Sequence, residues 1–429
     1  MDKQYYPLPD ETLYTKKLSN GLTVLVCPKP GFTRKVAYFV TDFGSIHTEF
    51  TLDGQHHSVP AGVAHFLEHK MFELPGRDVS EEFANMGASV NAFTSYDLTA
   101  YYFSCTEHFD DCLRLLLEFV STPYFTEESV QREMGIIDQE IGMNLDDSGT
   151  QVFEQLTAGM YEKHPIRVPI LGSSQSIRAI TPETLNLCHR AFYNPANMIL
   201  CVVGDVDPEA VCDTALTVLG QEERPAGIKD PDAQETMTCA RSQMSTEMDI
   251  AMPAFCLGFK CEPTGRGEAA IIREFVADLA AEALFGESSQ LYLQLYQEGL
   301  IDSSFGGGFE TSDGCAMLTC GGDSDHAEEI LPRILEAAQQ IVRNGIPEAD
   351  FLRMKRSALG RRIRDLDSFD STCFRLCAYY LSDYDYFRFP ALYEAIGQQQ
   401  LQEFLDRVIT PARSCLSIIE PLKEEHYAT

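Results

Sequence analysis

The strongest constraint on this chain is that it is written twice. The segment NPANMILCVVGD at 194–205 returns as TPARSCLSIIEP at 410–421, 216 residues on. HFDDCLRLLLEF at 108–119 returns as HAEEILPRILEA at 326–337, 218 residues on, and IGMNLDDS at 141–148 returns as RRIRDLDS at 361–368, 220 residues on. Three anchors in one order at nearly one spacing mark an internal duplication. A chain of 429 residues is also too long for one ordinary core. Two homologous domains are therefore expected, over 1–222 and 241–429. The polar stretch 223–240, with Pro225, Gly227 and Pro231, reads as the linker.

Within the first copy, LTVLVC, KVAYFVTDF, SVNAFTSY, TAYYFSCT and MILCVVGD read as strands. Helical periodicity covers about 108–120 and 127–145, and a further helix starts at Pro208. Hairpin-like strands mixed with helices imply an α+β fold, a mostly antiparallel sheet in each domain with helices packed on it.

The two copies can then be compared with each other. AHFLEHKMF at 64–72 falls opposite ADLAAEALF at 277–285. The apolar frame persists (Ala64/Ala277, Phe66/Leu279, Phe72/Phe285), but His65, Glu68 and His69 face Asp278, Ala281 and Glu282. Packing of a helix at this place does not require the polar trio, so the trio points to chemistry. On a helix, residues i, i+3 and i+4 share a face, which aims both imidazoles at one point with Glu68 beside it. Two neutral imidazoles suit zinc, and a catalytic zinc needs a third protein ligand and an open position. A carboxylate beside such an ion can take the proton of an attacking water. H-x-x-E-H is the inverted form of the H-E-x-x-H metalloprotease signature. The ordinary alternative is a hydrogen-bonded polar helix face.

The third ligand is sought in TEESVQREMGIIDQEIGMNLDD at 126–147, a long helical pattern begun by Thr126. Glu133 and Glu140 are seven apart and share a face to within about 20°. One can bind the metal while the other orients a ligand from behind. At an offset of 220 they face Arg353 and Gly360 in the second copy. Two glutamates on a helix usually mean a solvated face, but MGII and EIGM surround these with apolar residues.

Composition removes other classes. Apolar residues make up 44% of the chain and aromatics 10%, as in packed globular domains. A formal charge of −32 argues against nucleic-acid binding, which needs a basic footprint. No apolar run reaches membrane-spanning length, and the first residues have no secretory pattern. The 14 cysteines are scattered without a C-x-x-C pair and read as buried thiols of a cytoplasmic protein. His56 and His57 read as loop residues, and GGGF and CGGD lack the setting of a phosphate loop.

Taken together, GVAHFLEHKMFE, VNAFTSYDLTAYYF, FYNPANMILCVVGD and the duplicated halves resemble the pitrilysin/insulysin/mitochondrial-processing-peptidase family of zinc metallopeptidases. VPAGVAHFLEHKMFE and LYQEGLIDSSF look most like the small bacterial branch associated with elongation factor P modification. The resemblance implies two homologous domains forming half of a clamshell, and a zinc endopeptidase acting on peptides or small unfolded proteins. It implies Zn2+ held by His65, His69 and Glu140, Glu68 as the base, and Glu133 as the supporting glutamate. It further implies a peptide captured as an added strand at the edge carrying Asn91 and Ala92. Active members of the family usually place an arginine and a nearby tyrosine in the silent half. Here LYLQLYQEGLIDSSFGGGFE has no arginine, and Tyr296 stands in its place. A heterodimer with a related, motif-less subunit is expected to complete the site, with a homodimer as the other arrangement. The alternative function is a non-catalytic scaffold or maturation subunit of the same family.

Overall fold

A computed structural model describes residues 1–230 and 235–422. In the first half the strands are β1 (Asp2–Tyr6), β2 (Glu11–Lys17), β3 (Thr23–Pro28), β4 (Lys35–Thr41), β5 (Ser89–Thr94), β6 (Thr99–Cys105) and β7 (Met198–Gly204). Its principal helices are α1 (Val63–Met71), α2 (Phe109–Ser121), α3 (Glu127–Leu145), α4 (Ser148–Met160) and α5 (Pro182–Phe192). The second half supplies β8 (Gln243–Met248), β9 (Ala254–Cys261), β10 (Gly306–Ser312), β11 (Cys315–Asp323) and β12 (Ser414–Pro421). Its long helices are α6 (Glu268–Phe285), α7 (Ala327–Asn344), α8 (Glu348–Arg364) and α9 (Phe369–Leu381).

The fold is α+β and duplicated, as the repeats require. The first sheet has the order β1-β2-β3-β7-β4-β6-β5, and the second β8-β12-β9-β11-β10. The last five strands of the first sheet and the five of the second follow one plan. In both, the late strand β7 or β12 runs parallel to one neighbour (β3 or β8) and antiparallel to the other. The central strands β3 and β7 are buried on both faces, which explains their unbroken apolar runs. On one face Val24, Val26, Ala37, Phe39, Leu200 and Val202 join the core formed by Phe66, Leu113, Leu116 and Phe192 from the helices.

Two compact units result, and they cut across the sequence halves. The first contains Met1–Ile141, Pro169–Pro231 and Arg361–Pro390; the second contains Gly142–Val168, Asp232–Gly360 and Ala391–Thr429. Thus α4, from the first half, packs on β12 and β9 of the second sheet. Its counterpart α9, from the second half, packs on β7 and β4 of the first. The duplicated halves exchange equivalent helices.

The stretch read as a linker, 223–240, is partly anchored. Asn194 donates its carboxamide to the carbonyls of Arg224 and Pro225 at 3.0 and 3.1 Å. Ile228–Lys229 forms a short strand antiparallel to Glu49–Leu52, and Lys229 pairs with Asp42 at 2.6 Å. Proline and glycine exclude a helix here, but they leave the backbone groups of the following residues free to pair. Residues 231–234 of this stretch lie outside the described residues.

Helix α1 has an unusually enclosed seat. Eight of its nine residues are buried, and it packs on β5, β6 and α5. It starts at Gly62, whose φ of 90° is left-handed and whose place leaves no room for a side chain. A Cβ there would lie 2.4 Å from the Leu171 carbonyl oxygen.

Candidate metal centre

His65, Glu68 and His69 come from α1, and Glu133 and Glu140 from α3, so the site joins two helices of the first unit. Thr126 and Ser129 begin α3 with reciprocal side-chain to backbone hydrogen bonds at 3.2 and 3.3 Å. Glu127 and Glu128 then favour the positive end of the helix dipole. The buried positions of α3 include Val130, Ile137 and Ile141, and this stripe brings Glu133 and Glu140 towards α1. Ile136, by contrast, is 49% exposed. The glutamates face inward because of the Val130–Ile137–Ile141 stripe, and not because every neighbouring apolar residue is buried.

The three ligand atoms of His65, His69 and Glu140 all lie within 4.8 Å of one another. Nε2 of His65 is 3.7 Å from Glu140 Oε1, and Nε2 of His69 is 3.7 Å from Glu140 Oε2. These separations are too long for hydrogen bonds. They are close to the ~3.4 Å edge of a tetrahedron whose bonds are ~2.1 Å.

His65 supplies the test of whether a cation fits. The residue is 7% exposed, and its Nδ1 has no hydrogen-bond partner among the described residues. Its Nε2 reaches no nearer carboxylate than Glu140. Burial, reinforced by the His69 charge, pulls its pKa down to about 3, so the imidazole is neutral with a lone pair available. The Nε2 that faces Glu140 at 3.7 Å makes no hydrogen bond to it, so its lone pair is open to a cation, while Nδ1 stays unpaired with or without one. The nitrogen–nitrogen–carboxylate set is a donor set suited to zinc.

His69 is held differently. Its Nδ1 lies 3.0 Å from Glu133 Oε1, the contact that turns Nε2 towards Glu140. Burial pulls its pKa down, but the Glu133 hydrogen bond and the charges of Glu68, Glu133 and Glu140 outweigh this and raise it. Replacing Glu133 by alanine is expected to weaken zinc affinity about 10- to 100-fold without removing a ligand. Competition against a coloured chelator measures this; an unchanged affinity removes Glu133 from the centre.

Glu68 stands beside the three candidate ligands and is 8% exposed. Burial raises its pKa, opposed by the hydrogen bond from Thr94 and the His69 charge and assisted by Glu140. Thr94 Oγ1 donates to Glu68 Oε2 at 2.7 Å.

The proposed substrate edge divides between two faces. Among the described residues β5 pairs only with β6, leaving its outer edge open. Ala92 lies opposite Tyr101, whose ring meets Phe72, Phe119 and Tyr193 on the side of α1. Asn91 lies opposite Tyr102, which stacks on Tyr38 on the other side. The Ala92 N–H donates to Asn91 Oδ1 at 2.9 Å. Ala92 therefore shares the face of the histidines, whereas the Asn91 side chain lies on the other face and caps the Ala92 N–H.

Several supporting residues escaped sequence reasoning. Thr94 shares a strand face with Ala92, and period-two alternation from Ala92 is the signal that could have found it. Fully buried Lys70 pairs with Glu73, which also binds Arg132 at 2.8 Å. This chain of charges links α1 to α3, and no sequence spacing announces it. His56 and His57 lie on a short strand, Gln55–Ser58, rather than in a loop, and His56 Nε2 is 2.8 Å from Asp230. Tyr296 is 53% exposed and stacks on Tyr292.

Comparison with known proteins supplies the family. The domain described as Insulinase (Peptidase family M16) matches residues 55–174, and the Peptidase M16 inactive domain matches residues 179–358. The first match contains every residue of the centre, and the second covers α6, where the trio is replaced. The chain is 35% identical over 426 residues to the uncharacterized zinc protease YmfH of Bacillus subtilis, covering 97% of this chain and 98% of that one. It is 25% identical over 333 residues to the Bacillus subtilis uncharacterized zinc protease YmxG, covering 74% of this chain and 78% of that one. The crystal structure of an M16-like peptidase from Alicyclobacillus acidocaldarius superposes with a TM-score of 0.92 at 32% identity, covering 96% of this chain and 99% of that one. A protease from Helicobacter pylori shares the fold, with a TM-score of 0.83 at 19% identity, covering 95% of this chain and 99% of that one.

Proposed function

The chain belongs to the insulinase family of metallopeptidases, M16, and on that premise we propose that it is a zinc-dependent endopeptidase of peptides or small unfolded proteins. The observation that carries this reading is the convergence of His65, His69 and Glu140 in one copy of a duplicated chain, with Glu68 beside them. When bound, zinc supplies Lewis-acid polarisation of the scissile carbonyl and of water. His65, His69 and Glu140 would hold it, with Glu133 orienting His69. Glu68 accepts the proton of the attacking water and delivers it to the leaving amine as the C–N bond breaks. The open edge of β5, at Asn91 and Ala92, receives the peptide through main-chain hydrogen bonds, which leaves side-chain selection loose.

The finer part of the proposal concerns a partner. An exposed tyrosine, Tyr296, occupies the place at which the family resemblance leads one to expect an arginine. Loss of one oxyanion donor costs about 100- to 1,000-fold in rate. A related subunit lacking H-x-x-E-H is assigned the missing groups. The compartment assigned is the cytoplasm. All fourteen cysteines are free, and most are buried as small apolar residues. Among the described residues, no helix is long and apolar enough to cross a membrane.

Hydrolysis of a quenched fluorescent, unstructured peptide tests both parts. Expected is slow cleavage by the isolated chain, abolished by chelation and restored by zinc. A same-length, motif-less paralogue from the same genome should raise the rate about 100- to 1,000-fold. Full enzymatic rates from the isolated chain contradict the pairing. No metal-dependent cleavage under either condition contradicts the peptidase.

A further inference from the structure

Glu68 has two oxygens, and the structure treats them unequally. Oε2 accepts the Thr94 hydroxyl at 2.7 Å, in a contact between α1 and the edge strand β5. Behind Thr94, fully buried Thr99 donates to the Phe43 carbonyl at 2.9 Å and lies 3.4 Å from Thr94 Oγ1. The Thr94 side chain is thus backed by a fixed group and directed at the carboxylate.

We propose that Thr94 is a positioning residue for Glu68, pinning Oε2 so that Oε1 alone exchanges the proton during peptide hydrolysis. In the forward step water loses a proton to Oε1 while its oxygen bonds to the carbonyl carbon. In the second step that proton passes from Oε1 to the leaving nitrogen as the C–N bond breaks, returning Glu68 to a carboxylate. A carboxylate free to rotate would present either oxygen and spend part of its time misaligned. A charge-assisted hydrogen bond from a neutral hydroxyl suppresses that rotation. Because Thr94 lies on the strand that offers the peptide its edge, the base is registered against the strand that would hold the substrate.

The kinetic consequence rests on the peptidase reading; the carboxylate orientation does not. Thr94→Val removes the hydroxyl but keeps a β-branched residue suited to the strand, and Thr94→Ser restores a hydroxyl. In chains with 13C-labelled glutamate carboxyl groups, the infrared carboxylate band of Glu68 is identified by its loss in Glu68→Gln. The expected result is that this band moves in Thr94→Val and returns in Thr94→Ser. In the same variants kcat should fall about 10- to 100-fold for Thr94→Val and recover for Thr94→Ser, with KM and zinc content unchanged. An unmoved band overturns the inference, as does equal loss of kcat in both variants. If the band moves and recovers but no chain, wild type included, cleaves peptide with or without its paralogue, the positioning stands and the peptidase reading fails.

Discussion

Glu68→Gln is expected to lower the rate of peptide hydrolysis about 100- to 10,000-fold while leaving the zinc content unchanged. The side chain is 8% exposed, so a substitution of nearly equal volume is needed to avoid creating a cavity. Glutamine keeps an oxygen to accept from Thr94 and retains the fold of α1. It cannot take up a proton near neutral pH, so the water must lose its proton without help. The group of three ligand atoms does not include Glu68, and the metal should remain. Peptide turnover and metal analysis on the same preparation decide the matter. Retained cleavage removes Glu68 from the mechanism, and lost zinc makes it a ligand or a structural residue instead.

The second large effect belongs to Glu140. Structural zinc sites with four ligands bind with about 10–16 kcal/mol, or roughly 3 kcal/mol for each ligand. Glu140→Ala should therefore weaken zinc binding at least about 100-fold. The side chain is 38% exposed, so its removal leaves the core of α3 in place. The chain without metal should fold as before, but its stabilisation by a given zinc concentration should shrink, because that gain follows ln(1 + [zinc]/Kd). Thermal melts across a chelator-buffered zinc series show this directly. A variant with wild-type zinc response would exclude Glu140 from the ligands.

Much of this centre was legible before any coordinates. H-x-x-E-H and two glutamates seven apart are short-range patterns, and a helix converts such spacings directly into shared faces. The helices expected at about 108–120 and 127–145 are found at Phe109–Ser121 and Glu127–Leu145 for the same reason. Comparison of the two copies was equally informative, since Ala281 replaces Glu68 within an apolar frame that α6 preserves.

What could not be read depends on long-range docking. The pattern of CFRLCAYY shows that one face of α9 is buried, but periodicity does not say against which sheet. Its exchange with α4 therefore emerges only in three dimensions. Alternation along β5 puts Thr94 on the face of Ala92, but its bond to Glu68 depends on β5 lying against α1, which neither segment's pattern specifies. The short strand Ile228–Lys229 was hidden by the Pro/Gly composition that marks its surroundings as a connection. Lys70, Glu73 and Arg132 meet because α1 and α3 are adjacent, a fact their positions in the chain do not carry.

The most direct test of the whole account is anomalous diffraction from crystals of the isolated chain, recorded on both sides of the zinc absorption edge. The account predicts one strong anomalous peak bonded at about 2.0–2.2 Å to Nε2 of His65, Nε2 of His69 and the Glu140 carboxylate. A fully occupied zinc elsewhere, or zinc-soaked crystals with no ion between these three side chains, would contradict it.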